Sequence, residues 1–130
     1  MNGKLQGQRF RALPGRYAVC RLNGESAVPA WASGPFVNIT LTPDELAIIC
    51  PADRVPHDVR AERDWRVLKL VGPFPFTAVG VLASLTTPLA RAGISLLSIA
   101  TYDTDYFLVK NDVFDDAVAV LVAAGHTKIG

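Results

Sequence analysis

Residues 94–110 read ISLLSIATYDTDYFLVK, and this stretch decides the fold. Its first part, 94–101, is an apolar run short enough for a buried strand. Tyr102-Asp103-Thr104 carries turn chemistry, and 105–110 resumes an apolar strand, so the segment predicts a β-hairpin. Upstream, Ala78, Val81, Leu82, Leu85, Leu89 and Ala92 recur at helical spacing behind Thr77, an apt N-cap. Pro88 lies inside that pattern and should kink or loosen the helix over 85–87. Gly93 is placed to stop it. Downstream, Asp112 should cap a second helix through Ala124, with Asp115 placed for reciprocal capping and Gly125 as its stop. Residues 127–129 offer a last short strand.

A strand at 65–71, ending at Gly72-Pro73, precedes the first helix. The order from there is βαββαβ, the ferredoxin-like split βαβ motif: an α+β unit with an antiparallel sheet and two helices on one face. The earlier sequence predicts strands at 16–22, 36–41 and 45–50, a turn at 23–26 and a short helical turn near 29–32. That is a degenerate β, short helix, β, β version of the same unit. The expected organisation is a flexible tail over 1–13, an N-terminal half over 14–63 and a C-terminal domain over 64–130. The proline- and charge-rich stretch 51–64 is read as a linker. About 65 residues alone would be marginal, so the halves should support one another.

The chain has 130 residues, half of them hydrophobic, with 13 basic and 12 acidic side chains. A net charge of +1 supplies no single-sign field for nucleic acid or an anionic membrane. The charges between Arg54 and Lys69 are interleaved with Asp58, Glu62 and Asp64, a mixed solvated stretch. No run reaches the ~18 apolar residues of a membrane span, and 1–13 lacks a signal-peptide core. Cys20 and Cys50 sit in separate apolar runs without metal-ligand spacing; buried free thiols on neighbouring strands suit a reducing cytoplasm. His57 and His126 are far apart, and no nucleophile–base arrangement or glycine-rich phosphate loop stands out. His57 reads as a surface residue, Trp31 and Trp65 as core. The sequence therefore predicts no enzyme, no metal and no cofactor.

The fold hosts many functions, and the residues narrow them. An RNA-binding version needs exposed aromatics on the central strands and a basic surface. A metal-chaperone version needs paired cysteines in the first loop, and an acylphosphatase version an arginine in a phosphate-cradling loop. None of these patterns is present, which leaves a small-molecule version.

The segment from Gly72 to Lys110 resembles the ACT-domain family, in particular short bacterial tandem ACT proteins related to the cytosolic arginine sensors. The resemblance is carried by Gly72-Pro73-Phe74, by the helix from Thr77 to Arg91-Ala92-Gly93-Ile94-Ser95, and by Ile99 through Tyr106 followed by Leu108-Val109. Ala100 stands where serine is expected. The match is strong over the last half and rests on pattern alone over the first. It implies an amino-acid effector beside the 72–77 loop and the 102–105 turn, in a regulatory module without catalysis. The implied ligand-binding residues are Gly72, Phe74, Phe76, Thr77, Ala78, Tyr102, Thr104 and Asp105.

Those residues make physical sense of a zwitterion. Unpaired N–H groups at the helix tip near Thr77 and Ala78 suit its carboxylate, and Asp105 suits its ammonium. Tyr102 and Thr104 would wall the site, with Phe74 and Phe76 as an apolar lid. Plainer readings stand beside these. Asp103 and Asp105 are first of all turn residues, Phe74 and Phe76 serve equally as core plugs, and Thr77 caps a helix with or without ligand. Nothing acidic in the 72–77 loop favours arginine, so an aromatic or aliphatic amino acid is expected. A homodimer is the expected assembly. The alternative function is an oligomerisation module whose ligand site is vestigial.

Overall fold

The computed structural model describes residues 7–130. In chain order the elements are β1 (Arg9–Ala12), β2 (Tyr17–Asn23), β3 (Asn38–Leu41), β4 (Glu45–Pro51), β5 (Arg60–Leu70), α1 (Val81–Arg91), β6 (Leu97–Ala100), β7 (Asp105–Lys110), α2 (Phe114–Ala123) and β8 (Thr127–Lys128). They fall into two compact units, one formed by residues 15–65 and one by 66–130 with residues 7–14.

In the 15–65 unit, β4 pairs antiparallel with both β2 and β3, and β2 pairs antiparallel with the start of β5. Ala18, Cys20, Leu46, Ile48, Cys50 and Val55 form its core, with Trp31 packed against them. Period-two alternation explains this: Cys20 lies opposite Ile48 and Cys50 opposite Ala18, so all four face one way. The two thiols are free and buried on neighbouring strands. Burial pushes both above the ordinary thiol range, Cys50 to about 11. Residues 29–32 make one turn, Ala32 N–H to Pro29 O at 3.1 Å, rather than a helical segment. The expected linker over 51–64 is also corrected. A 3-10 turn covers Ala52–Arg54, and β5 begins at Arg60, pairing with Arg21. The pairing slips between Tyr17 and Val19, where Asp64 takes a left-handed φ of 67°. This is a β-bulge, and charges hid the strand because one of its faces is exposed.

In the other unit the sheet order is β8-β1-β5-β7-β6. The βαββαβ path of the sequence is present, with one difference. Residues 9–12, expected as tail, form a strand antiparallel to β5 and parallel to β8. The sheet is therefore mixed rather than wholly antiparallel. Phe10 drives this insertion: it is completely buried opposite Leu70. The part of the expected tail over residues 1–6 lies outside the described residues. Phe10, Leu68, Leu70, Phe107 and Val109 share one face, and both helices close it through Leu85, Leu89, Phe114, Ala117 and Leu121. β6 is shorter than the run 94–101 and largely exposed, while Ile94 and Leu96 pack against the core.

Both helices end in the same Schellman motif. Gly93, at φ 76°, follows α1, with Ile94 N–H to Leu89 O at 3.0 Å and Gly93 N–H to Ala90 O at 3.0 Å. Gly125 repeats it after α2, with His126 N–H to Leu121 O at 3.0 Å. The expected side-chain caps are absent: neither helix has a side-chain cap bond, and α2 starts at Phe114 behind a 3-10 turn rather than at Asp112. Pro88 does not end α1, which runs through it. Lacking an N–H, Pro88 leaves the Ser84 carbonyl without its helical donor. The His126 ring supplies one: Nε2 lies 2.8 Å from Ser84 O, while Nδ1 accepts the Gln8 N–H at 2.9 Å. These partners fix the neutral tautomer with the proton on Nε2.

Two outcomes follow from this packing. His126→Ala should destabilise the chain by about 1–2 kcal/mol, because a part-buried carbonyl loses its donor. Pro88→Ala, which restores the helical N–H, should be more favourable in that background than in the wild type. Denaturant melts of the four variants measure the coupling; strict additivity would break the link. Secondly, both cysteines should resist a thiol reagent at pH 8 until the chain unfolds. Since the folded Cys50 holds its proton more tightly than the unfolded one, its contribution is complete below about pH 9 and lost towards 11. Stability measured across that window should fall.

Candidate functional site

The site is assembled by a loop and a turn that hold one another. The segment after β5 turns at Gly72-Pro73, whose peptide is cis. Phe74 N–H then donates to Asp103 O at 2.8 Å, tying the loop to the β6–β7 turn. A side chain at Gly72 would bring its Cβ to 3.0 Å from the same Asp103 oxygen, so glycine permits the approach. The turn is closed by Thr101 N–H to Thr104 O at 2.8 Å and by Thr101 Oγ1 to the same oxygen at 3.0 Å. Thr104 Oγ1 reaches back to Leu70 O at 2.9 Å, a buried bond anchoring the turn to the end of β5.

A cleft of about 340 Å³ opens between this turn and the start of α1. Phe74, Phe76, Ala78, Tyr102, Thr104 and Asp105 line it, together with Gly80, Val81, Leu82 and Ala83. Six of the eight residues implied by the resemblance are thus brought together. Thr77 is not among the lining residues, and Gly72 lines a neighbouring cavity instead. The reason for the first difference is local. The helix begins at Val81, behind Gly80 in the left-handed region at φ 78°, so Thr77 precedes it and caps nothing. The helix tip therefore belongs to Gly80 through Ala83, residues that the N-cap rule applied to Thr77 passed over. The left-handed glycine was the signal available.

The helix tip has no acidic residue in its first turn and no side-chain cap. Its first N–H groups point along the helix axis with the positive end of the dipole. Asp105 opens β7 opposite Ala100, half-buried. No hydrogen bond or ion pair occupies its carboxylate among the described residues. The phenylalanines divide their roles. Phe74 packs against the helix-covered core, whereas Phe76 is 75% exposed and meets Tyr102, 80% exposed, edge-on at 4.9 Å between ring centres. Phe74 is the plug and Phe76 the rim. Among the described residues, no group of three or more His, Cys, Asp or Glu side chains converges as a metal site. No helix among them is long and apolar enough to cross a membrane.

Comparison with known proteins agrees with this architecture. A family model described as the ACT domain matches residues 60–123, and a second model, describing an N-terminal domain, matches 15–58. A crystal structure of a protein from Agobacterium tumefaciens is 38% identical, covers 96% of this chain and 94% of its own, and superposes with a TM-score of 0.91. The human cytosolic arginine sensor for mTORC1 subunit 1 is 29% identical over 104 residues, 74% of this chain. The chain spans about a third (32%) of the length of that relative. The regulatory subunit of aspartate kinase from Thermus thermophilus, 10% identical, shares the fold with a TM-score of 0.58 over 84% of this chain and 91% of its own. Residues 60–123 thus carry an ACT domain.

Proposed function

We propose that the chain is a cytoplasmic amino-acid-binding regulatory module, without catalysis of its own, whose effector sits in the cleft between α1 and the 102–105 turn. One observation carries the reading: an uncapped helix tip and an unpaired carboxylate line the same cleft. An α-amino acid presents a carboxylate and an ammonium a few bonds apart, matching that pair of opposite partial and full charges. The N–H groups of Val81, Leu82 and Ala83 receive the carboxylate, and Asp105 receives the ammonium. Phe74, Phe76, Val81, Leu82 and Tyr102 leave an apolar remainder, which favours an aliphatic or aromatic side chain over a cationic one. The relative named as an arginine sensor supports the amino-acid class. The 15–65 unit, with a strand pattern of this kind but no α-helix among its described residues, is read as the companion half.

A panel of free amino acids should raise the melting temperature by an amount that grows with ligand concentration. Asp105→Asn, nearly isosteric, should weaken the effective ligand by about 2–5 kcal/mol through loss of the charge pair. Calorimetric titration of that variant at unchanged affinity would remove Asp105 from the site.

The rim favours a second reading, an assembly module. Phe76 and Tyr102 are largely exposed and leave apolar surface at the cleft mouth. In that case a second copy covers the mouth and the chain is a homodimer. Light scattering with and without amino acids separates the two: a dimer indifferent to every amino acid, with no thermal shift, selects assembly.

A further inference from the structure

A second cavity, of about 280 Å³, is lined by Arg11, Lys69, Val71, Gly72, Pro73, Asp103 and Thr104. Strand alternation explains which groups enter it. Phe10, Leu68 and Leu70 face the helices, so Arg11 and Lys69 project from the opposite face of the same two strands. They are register partners, Arg11 directly across from Lys69. Like charges directly opposite on antiparallel strands destabilise the pair. Nothing among the described residues relieves them. Neither makes an ion pair, and Asp103, the one acid lining the cavity, forms none with either. Lys69 has only the face of Tyr106, its Nζ 5.8 Å from the ring centre, which holds the ammonium without neutralising it.

We infer that this cavity is an oxyanion site, taking a small dianionic group such as a phosphate or a dicarboxylate. Arg11 and Lys69 bring two adjacent positive charges to a cavity whose one acid, Asp103, pairs with neither, and a compact anionic ligand matches that excess. The guanidinium fork suits paired oxygens, and the ammonium beside it supplies a point charge. The volume holds several non-hydrogen atoms, more than a single water and less than a nucleotide. The site is distinct from the amino-acid cleft in chemistry: two cations line it, and neither the tip of α1 nor Asp105 does.

The test is a titration of the full chain, without any amino acid, by inorganic phosphate and separately by succinate, at ionic strength held constant with sodium chloride. A saturable rise in melting temperature with at least one of the two is expected. Arg11→Gln and Lys69→Gln should each weaken that binding by about tenfold or more, the loss of one charge-assisted bond. Arg9→Gln, on the same strand and outside the cavity, should leave it unchanged. In sodium chloride without phosphate or succinate both cavity variants should melt at or above the wild-type temperature, since a repulsive pair has been removed; this separates lost binding from lost folding. Saturation by phosphate alone or succinate alone assigns the ligand class. Three results would overturn the site: shifts no larger than chloride produces, wild-type binding in Arg11→Gln, or an equal loss in Arg9→Gln, which marks a diffuse charged surface.

Discussion

The buried bond from Thr104 Oγ1 to Leu70 O, with the bond from Phe74 N–H to Asp103 O, holds together the loop and the turn that line the cleft. One fixes the β6–β7 turn to the end of β5; the other fixes the following loop to that turn. Loops normally vary and move, and precise sites need rigid support. Here support comes from two hydrogen bonds whose partners belong to the sheet or its margins. Because Thr104 is buried, loss of its acceptor would leave a polar group without water, which makes the turn hard to displace.

The same economy governs the helices. α1 carries a proline where a helix former would be more stable, and the resulting orphan carbonyl is answered from the end of α2. The Schellman geometry after α2 delivers His126 to that position, so a local helix stop becomes a tertiary contact. The start of α1, by contrast, is left uncapped. The chain thus supplies a donor to one carbonyl in mid-helix but no side chain to the helix tip.

Local chemistry made the strand–helix order from Trp65 onward legible, because periods of 2 and 3.6 and the stops at Gly93 and Gly125 act within a few residues. The cleft was legible to the same extent, since Phe74 to Ala78 and Tyr102 to Asp105 are short segments with turn chemistry. What was hidden depends on distant pairing. Arg9 to Ala12 has a single large apolar residue, and only its burial opposite Leu70 makes it a strand. Arg60 to Asp64 read as a linker because its exposed positions are charged, while Cys20 pairs with Ala61 across the bulged ladder. Thr77 carried the right side chain for a cap, but the left-handed Gly80 placed the helix start later.

The inserted β1 also changes what the sheet can do. Without it, Lys69 would have no register partner on that side of β5. With it, Arg11 stands directly across from Lys69, and the ladder holds their backbone positions side by side. Like charges directly opposite one another on paired strands repel, and an anion between them would relieve that repulsion. The pairing arises from the position of Phe10: buried on one face, it commits Arg11 to the other.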